Sequence, residues 1–309
     1  MQDIKNKKIF AITVPCYNSE LTIEETLNAI LKQGNYLNFV ECLILFDDGS
    51  KDNTKSVAMH LWGANAPRLI ISDRLKNVGE MVNVNLMVNE IPSSVQWFLH
   101  MHGDNIPKED WLKVLIDHCL AAGDNVGIVC ASYDCLHDNG TVSNGDNKPD
   151  HKPEIILGNI ASVVGTLKKG CWWHNSCSAV RVSAFKELGG LVPGMRQKGD
   201  WDFLLRLLDA GWDIEYISKS IMVYRLHEIS ASGFAFKNNL DIEESLQIIQ
   251  KYANKIGFIV IFSLHFNIFF TLLRRLTRSG FNFDYFKFAN CIKKLFRTFF
   301  NFFTCLTLK

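Results

Sequence analysis

The 309-residue chain is long enough for one large α/β domain with an appendage, or for two modest domains. It is 48% hydrophobic and 21% charged, as is typical of a chain with a packed core, and its net charge of +1 gives no overall case for a nucleic-acid binder. The charge is unevenly divided, because residues 251–309 contain ten Lys or Arg against one acidic residue. Subtracting their net +9 from +1 leaves −8 for residues 1–250, which indicates that the C-terminal part meets an anionic surface.

Nine cysteines are scattered without the spacing of a metal site, and the first eight residues are polar and charged, unlike a secretory signal. An odd number of cysteines without a signal predicts reduced thiols, most of them buried as small apolar side chains. We therefore expect a cytoplasmic protein, which would be peripheral at the inner face of the membrane if its basic C-terminal part binds lipid.

The first half of the chain alternates between short β-rich runs and amphipathic helical runs. The predicted strands are Ile9–Val14, Glu41–Phe46, Arg68–Ser72 and Trp97–Met101. The predicted helices are Leu21–Leu31, Thr54–Trp62, Gly79–Val88 and Trp111–Leu120. Such alternation with short connections predicts right-handed crossovers and a parallel sheet, whose ligands bind outside the carboxyl ends of the strands.

The second half begins with residues 136–153, a polar segment rich in Gly, Asn, Asp and Pro. This composition predicts a long surface loop of the kind that forms lids or acceptor-binding segments. Beyond it, helical spacing predicts helices at Val180–Leu188 and Trp201–Ala210, and β-rich runs predict strands at Asp213–Ile217 and Ile221–Leu226. These elements would complete an α/β domain.

Three polar clusters follow predicted strands at the same edge of the sheet. They are Pro15-Cys16-Tyr17-Asn18, Asp47-Asp48-Gly49-Ser50 and His102-Gly103-Asp104-Asn105. A carboxylate of the second cluster can accept hydrogen bonds from a nucleobase or ribose, although Asp, Gly and Ser are also frequent in ordinary turns. Asp104 is suited to a hard cation, Mg²⁺ or Mn²⁺, that would offset the charge of a diphosphate, or it is simply a turn residue.

Two further clusters carry charged groups. In Gly199-Asp200-Trp201-Asp202, either Asp can act as general base towards an acceptor hydroxyl, or as a first-turn residue favoured by the helix dipole. Tyr224-Arg225-Leu226-His227, with Ser230 and Ser232 beyond it, brings a cation and an imidazole to another strand end. These two groups face a diphosphate or a metal ion, or they serve as structural hydrogen-bonding groups.

The C-terminal part has a different character. Ile256–Leu273 contains 18 residues without a charge, a marginal length for a membrane span. Its aromatic side chains, the cluster of Arg274, Arg275 and Arg278, and the basic aromatic stretch Tyr285–Phe303 favour an amphipathic anchor at the membrane surface. A helical pair packed on the preceding domain, or an oligomer contact, is the alternative.

Taken in order, these clusters resemble the motifs of the family 2 glycosyltransferases, which are inverting enzymes with the GT-A fold. The matching segments are Ile12–Ser19 (a strand and PxYN), Phe46–Asp52 (DDGSxD), Asn77–Gly79 with Asn85 (NxG…ARN), Gly199–Arg206 (EDxDxxLR) and Tyr224–His227 with Ser230 and Ser232 (RxHxxSxS). The resemblance implies an α/β protein whose Rossmann-like, mostly parallel sheet is flanked by helices. We expect a catalytic domain over residues 1–235 and a helical C-terminal extension over residues 236–309.

The resemblance also implies roles for single residues. Asp200 would be the general base, and Asp104, His102 and His227 would hold a divalent cation, Mn²⁺ or Mg²⁺. The donor-binding residues would be Pro15, Tyr17, Asn18, Asp47, Asp48, Asn77, Gly79, Gly103, Asp202 and Arg225. The implied reaction is an in-line displacement from a nucleotide-diphospho-sugar, UDP-linked, to a saccharide or lipid-linked acceptor, with inversion at the anomeric carbon.

The chain departs from the family pattern at three positions. His102 replaces the first Asp of the DxD metal motif, Gly199 replaces the Glu before the base, and Val84 replaces the Arg of ARN. These departures motivate an alternative, a non-catalytic protein that binds nucleotide sugars in a degenerate site. A nucleotidyltransferase would need a Gly-rich, basic phosphate loop, and residues 15–20 contain neither Gly nor Lys.

Overall fold

The computed structural model describes residues 8–63, 66–145, 154–226, 238–281 and 285–307. In these ranges the strands are β1 (Phe10–Cys16), β2 (Val40–Asp47), β3 (Arg68–Asp73), β4 (Trp97–His100), β5 (Ile106–Pro107), β6 (Val126–Leu136), β7 (Val142–Asn144), β8 (Glu154–Ile156), β9 (Ser178–Arg181) and β10 (Asp213–Arg225). The helices are α1 (Ile23–Leu31), α2 (Thr54–Leu61), α3 (Glu80–Asn89), α4 (Trp111–Ala121), α5 (Ile160–Lys169), α6 (Val182–Glu187), α7 (Gly199–Asp209), α8 (Leu240–Tyr252), α9 (Phe258–Phe281) and α10 (Tyr285–Thr307). The strands form one curled sheet in the order β3-β2-β1-β4-β9-β6-β10-β5, with β7 paired to β6 and β8 paired to β10.

The half of the sheet formed by β3, β2, β1 and β4 is parallel, as the alternation predicted. Every predicted strand and helix up to α4 is present, and its ends lie within two residues of the predicted ones. Because these strands run in the same direction, their carboxyl ends meet at one edge of the sheet. The predicted α/β architecture is therefore confirmed.

The second half of the sheet is mixed, because β9 runs antiparallel to both β4 and β6. The helix predicted at Val180–Leu188 is wrong at its start, since Val180 belongs to the buried central strand β9 and the helix begins at Val182. The two strands predicted at 213–217 and 221–226 are one strand, β10, whose register against β6 shifts around Ser220. Within the predicted loop, residues 142–144 form β7, and residues 146–153 lie outside the described residues.

Helices cover the sheet on both faces. One face packs against apolar side chains of α1 and α4, and the other packs against those of α3, α6 and α7. Buried residues of α8, α9 and α10 belong to this second core as well. The C-terminal helices are therefore packed on the preceding domain, and the predicted boundary at residue 235 lies outside the described residues.

Much of the remaining surface of α9 and α10 is aromatic. The two helices contact each other through Phe258 and Phe302, and through a 2.9 Å hydrogen bond between His265 and Asn301. Their exposed large apolar residues, which we call the aromatic face, are Phe258, Ile259, Phe262, Phe266, Phe269, Phe270, Leu273, Ile292, Phe296, Phe299, Phe300 and Phe303. Among the described helices, Phe258–Thr277 is long and apolar enough to cross a membrane by length and composition, and 22% of that window is buried.

Candidate active site

A cavity of about 840 Å³ opens at the carboxyl edge of the parallel strands. Its walls come from the ends of β1, β2 and β4 and from the first turns of α3 and α7. The predicted site residues that line it are Pro15, Tyr17, Asp48, Asn77, Gly79, His102, Gly103, Asp104 and Asp200. The topology thus brings Asp104 and Asp200, almost one hundred positions apart, to one crevice.

Asp48 lines the cavity and holds the loop before α3. Its two carboxylate oxygens accept the backbone N–H groups of Val78 at 2.8 Å and of Gly79 at 3.0 Å. Gly79 has φ 88°, a conformation that favours glycine. A carboxylate has about four acceptor positions, so Asp48 can still accept a hydrogen bond from a ligand. The ring of Tyr17, which is 48% exposed, provides an apolar surface in the same cavity.

Asn18 and Asp47 are outside the cavity lining and tie the neighbouring turns together. The side-chain oxygen of Asn18 accepts the Lys51 N–H at 2.9 Å, and Asn18 N–H donates to the Ser50 hydroxyl at 2.8 Å. The carboxylate of Asp47 accepts from the N–H and the hydroxyl of Ser50. We therefore assign both residues to the shape of the turns at the ends of β1 and β2.

The turn that carries Asp104 is fixed by Arg225, another predicted donor-binding residue that the cavity lining does not include. Arg225 Nε donates to the Asp104 carbonyl at 3.1 Å, and a guanidinium nitrogen donates to Glu25 at 2.6 Å. Its backbone N–H donates to the Asn105 side chain at 3.2 Å. Arg225 therefore positions the turn from behind.

His102 contacts Glu80, a residue in the first turn of α3 that the sequence motifs did not single out. Its Nε2 lies 3.0 Å from a Glu80 carboxylate oxygen, and its Nδ1 lies 2.7 Å from the Ser176 hydroxyl. Burial opposes ionisation of Glu80, but the hydrogen bond with His102 lowers the pKa of that carboxyl to about 2. Glu80 is therefore a carboxylate at neutral pH.

Asp200 lies in the first turn of α7 with its carboxyl group in the cavity wall. One oxygen accepts the Trp201 N–H at 2.7 Å, and the other lies 3.6 Å from the Cys171 thiol. Burial raises its pKa to about 6, while the Trp201 hydrogen bond and the charge of Lys198 oppose the rise. A carboxyl with this pKa is a base at neutral pH that can also hold a proton.

Asp202 faces away from the cavity. It is completely buried and accepts from Arg206 at 2.6 Å and from Lys251 of α8 at 2.8 Å. Residues two apart on a helix point about 200° apart, so Asp202 is not on the same side as Asp200. The structure gives it the role of joining α7 to α8.

The residues of this cavity suit a hard cation that is held by a single protein carboxylate together with the substrate. In the described part of the chain, no group of three or more His, Cys, Asp or Glu side chains converges on a point. Mg²⁺, however, is commonly held by one or two carboxylates together with substrate phosphates and water, and Asp104, which lines the cavity, would supply such an oxygen ligand. His102 already uses both ring nitrogens within the protein, and His227 lies outside the described residues.

The inner wall of the cavity offers further polar atoms. Asn83 Oδ1, His100 Nε2 and Trp173 Nε1 are buried and have no hydrogen-bond partner among the described residues. All three residues line the cavity. Since buried polar atoms are normally satisfied, this wall is suited to hydroxyl groups of a ligand or to water.

A family model described as glycosyl transferase family 2 matches residues 11–189, more than half of the chain. The succinoglycan biosynthesis protein ExoA of Rhizobium meliloti (strain 1021) is 26% identical over 215 residues, which are 69% of this chain and 62% of that protein. The glycosyltransferase AglE of Haloferax volcanii is 23% identical over 67% of this chain and 63% of its own length. The chain thus spans less than two thirds of these curated relatives.

Solved glycosyltransferases share the fold. Staphylococcus aureus TarS 1-349, in complex with UDP-GlcNAc, has a TM-score of 0.58 at 15% identity, covering 93% of this chain and 89% of that one. The mannosyltransferase PcManGT of Pyrobaculum calidifontis, in complex with GDP-Man and Mn²⁺, has a TM-score of 0.57 at 15% identity, covering 93% and 73%. This likeness shows the GT-A fold. The family match covers more than half of the chain and shows that the chain belongs to glycosyltransferase family 2.

Proposed function

We propose that the enzyme transfers a sugar from a UDP-linked donor to a hydroxyl group of a saccharide or lipid-linked acceptor, with inversion and with the help of a divalent cation. The observation that carries the proposal is that Asp104 and Asp200 line one cavity together with Tyr17 and Asp48. The solved structure of TarS with UDP-GlcNAc supports a UDP-linked donor, and the Mn²⁺ of PcManGT supports the cation.

The donor would lie along the carboxyl edge of the sheet. The Tyr17 ring would pack on the base, and Asp48 would accept a hydrogen bond from the base or the ribose while it holds the loop at Gly79. Asp104 would hold the cation, which when bound offsets the negative charge that develops on the leaving diphosphate. Held in this way, the anomeric carbon would be presented to Asp200, which lines the same cavity.

Asp200 would act on the acceptor. Its carboxylate would take the proton of the acceptor hydroxyl as that oxygen forms a bond to the anomeric carbon. The bond from the anomeric carbon to the diphosphate oxygen would break on the opposite side, so the configuration would invert. The raised pKa of Asp200, about 6, makes the carboxylate a stronger base than an exposed Asp while leaving it ionised at neutral pH.

The test is the Asp200→Asn variant in an assay of nucleoside diphosphate release with Mn²⁺ and a panel of UDP-sugars and acceptors. We expect kcat to fall about 10²- to 10⁴-fold, the usual contribution of a general base, while UDP affinity stays within about twofold. Asp209→Asn is the matched control, because Asp209 lies on the same helix and pairs with Lys255 instead of lining the cavity.

Equal activity of the Asp200→Asn variant and the wild type would overturn the assignment of the base. A wild type that binds UDP-sugars but releases no nucleoside diphosphate with any acceptor would favour the non-catalytic alternative.

We further propose that the aromatic face lies on an anionic membrane surface at the cytoplasmic side. Phe296, Phe299 and Phe300 are each more than 60% exposed, and a soluble monomer rarely exposes a contiguous apolar patch of this kind. Lys293 follows the exposed Ile292 by one position, about 100° around the helix, which places a basic group along the edge of the face.

A peripheral position suits these helices better than a span. The opposite side of α9 is buried in the core of the catalytic domain through Ile261, Leu264 and Leu272, so a spanning α9 would have to leave that core. A surface-bound enzyme would meet acceptors that are themselves held in the membrane. A lipid-linked acceptor is therefore the acceptor class that we favour.

A further inference from the structure

Two residues that line the cavity, Asp48 and His102, contact consecutive residues of the chain, Gly79 and Glu80. Gly79 N–H donates to Asp48, which is proposed to bind the nucleoside. The Glu80 carboxylate contacts His102, in the turn whose Asp104 is proposed to hold the cation. The contact with Asp48 and the contact with His102 are therefore made by neighbouring residues of the chain.

The contact of Glu80 with His102 belongs to a continuous row of hydrogen bonds. The Ser176 hydroxyl oxygen lies 3.1 Å from two N–H donors, the backbone of His102 and the side chain of Asn105. These donors occupy its two lone pairs, so its own hydrogen is directed to His102 Nδ1 at 2.7 Å. His102 Nε2 then carries the hydrogen that is donated to Glu80. The row fixes the imidazole ring from both sides and thereby fixes the turn.

The same turn of α3 also lies beside Gly199, the second departure from the family pattern. A Cβ atom added at Gly199 would lie 2.4 Å from the sulfur of Met81, so no larger side chain fits there unless Met81 moves. Glu80 thus contacts the unusual His102, and its neighbour Met81 fills the space beside the unusual Gly199. His102 and Gly199 therefore both lie next to the first two residues of α3.

We infer that Glu80 is a positioning residue that, through His102, fixes the turn carrying Asp104 to the loop held by Asp48. The inference rests on the proposed function, because it concerns the placement of a cation-bound diphosphate relative to its nucleoside. Glu80 acts through His102 and Asp104 on the UDP and cation complex. It therefore affects the joint affinity for UDP and Mn²⁺, and fold stability is affected much less.

The test compares Glu80→Ala, Glu80→Gln, His102→Ala and the Glu80→Ala/His102→Ala double variant by calorimetric titration with UDP in Mn²⁺ and by Mn²⁺ electron paramagnetic resonance. We expect Glu80→Ala to weaken joint binding about tenfold, and Glu80→Gln to stay within about threefold because its amide oxygen still accepts from His102. The double variant should be no weaker than the weaker single variant, since either change breaks the same contact.

Glu90→Ala is the control, because Glu90 follows the same helix and contacts Ser72 and Arg74 outside the cavity. Its affinity should equal that of the wild type. The inference would be overturned if the losses of affinity in the two single variants multiplied in the double variant. It would also be overturned if Glu80→Ala bound UDP and Mn²⁺ as tightly as Glu90→Ala. The titrations measure binding without turnover, so their outcome does not depend on whether Asp200 is the base. If UDP binds equally without Mn²⁺, the cation part of the proposed function fails, and the UDP affinities of the same variants decide the role of Glu80.

Discussion

Asp200 lies in surroundings that favour its neutral form without removing its ability to ionise. Burial is the largest influence on this carboxyl, and the nearby Glu80 carboxylate also raises its pKa. The Trp201 N–H and the charge of Lys198 act in the opposite direction and keep the pKa at about 6. The result is a carboxylate at neutral pH that is more basic than an exposed one, as a base acting on a sugar hydroxyl requires.

This pKa predicts the acid limb of the pH profile. Asp200 must be deprotonated to accept a proton, so kcat/KM should rise with pH, reach half its plateau near pH 6 and change little above about pH 7. The measurement is kcat/KM between pH 5 and 8 at constant ionic strength. A profile that is flat over this range would contradict the role of Asp200, and the Asp200→Asn variant should lose the limb altogether.

At the residue scale, the sequence motifs predicted those site residues whose position is set by the end of a strand. Asp48 directly follows β2, and Asp104 lies in the turn after β4, so the topology brings both to one edge of the sheet. Glu80 escaped prediction because its contact with His102 depends on how α3 lies over β4, which no local pattern records. Asp202 was predicted as a donor contact although its spacing of two from Asp200 already indicated the opposite side of a helix.

At the element scale, α8 braces the helix that carries Asp200. The buried Glu244 carboxylate of α8 accepts the backbone N–H groups of Arg196, Gln197 and Lys198 at 2.7–2.9 Å, just before α7 begins. Lys251, also on α8, pairs with Asp202 inside α7. A helix beyond residue 235 thus supports α7, which carries Asp200.

The Glu244 contact predicts a loss of stability. Glu244→Ala would leave three N–H donors without their acceptor, and we expect the free energy of unfolding to fall by about 2–4 kcal/mol. Chemical denaturation measures the change, and Gln247→Ala, at an exposed position on the same helix, is the control. A Glu244→Ala variant as stable as Gln247→Ala would show that water replaces the carboxylate without lowering the free energy of unfolding.

Elements were predicted well in the parallel half of the sheet, where strands and amphipathic helices follow one another closely, and less well in the mixed half. β6 is a continuous run in which Val126–Ala131 are all buried, so it lacks the alternation that marks a half-exposed strand. α5 also escaped prediction, although Asn159 caps its start by accepting the Ser162 N–H at 3.0 Å and Gly170 ends it with φ 83°. Its capping residues were a usable signal.

At the scale of the whole molecule, the C-terminal helices have two different sides. Ile261, Leu264 and Leu272 of α9 are buried in the core shared with the catalytic domain, while the aromatic face is exposed on the other side. Truncation after Asn254 would remove both sides together and expose the core. Substitutions confined to the aromatic face therefore separate membrane binding from folding.

The triple variant Phe296→Glu, Phe299→Glu, Phe303→Glu should lose binding to vesicles that contain anionic lipid. These side chains are 64%, 61% and 49% exposed, and replacing their apolar contact with the interface by three negative charges should lower the partition coefficient at least about tenfold. The control Met59→Glu, Val142→Glu, Ile155→Glu makes the same charge change at exposed apolar positions elsewhere and should retain binding. Cosedimentation with vesicles of phosphatidylglycerol and phosphatidylcholine measures both, and wild-type binding should weaken as salt screens the basic residues. A wild type that ignores these vesicles and instead forms dimers that the triple variant abolishes would show that a second copy of the chain covers the aromatic face.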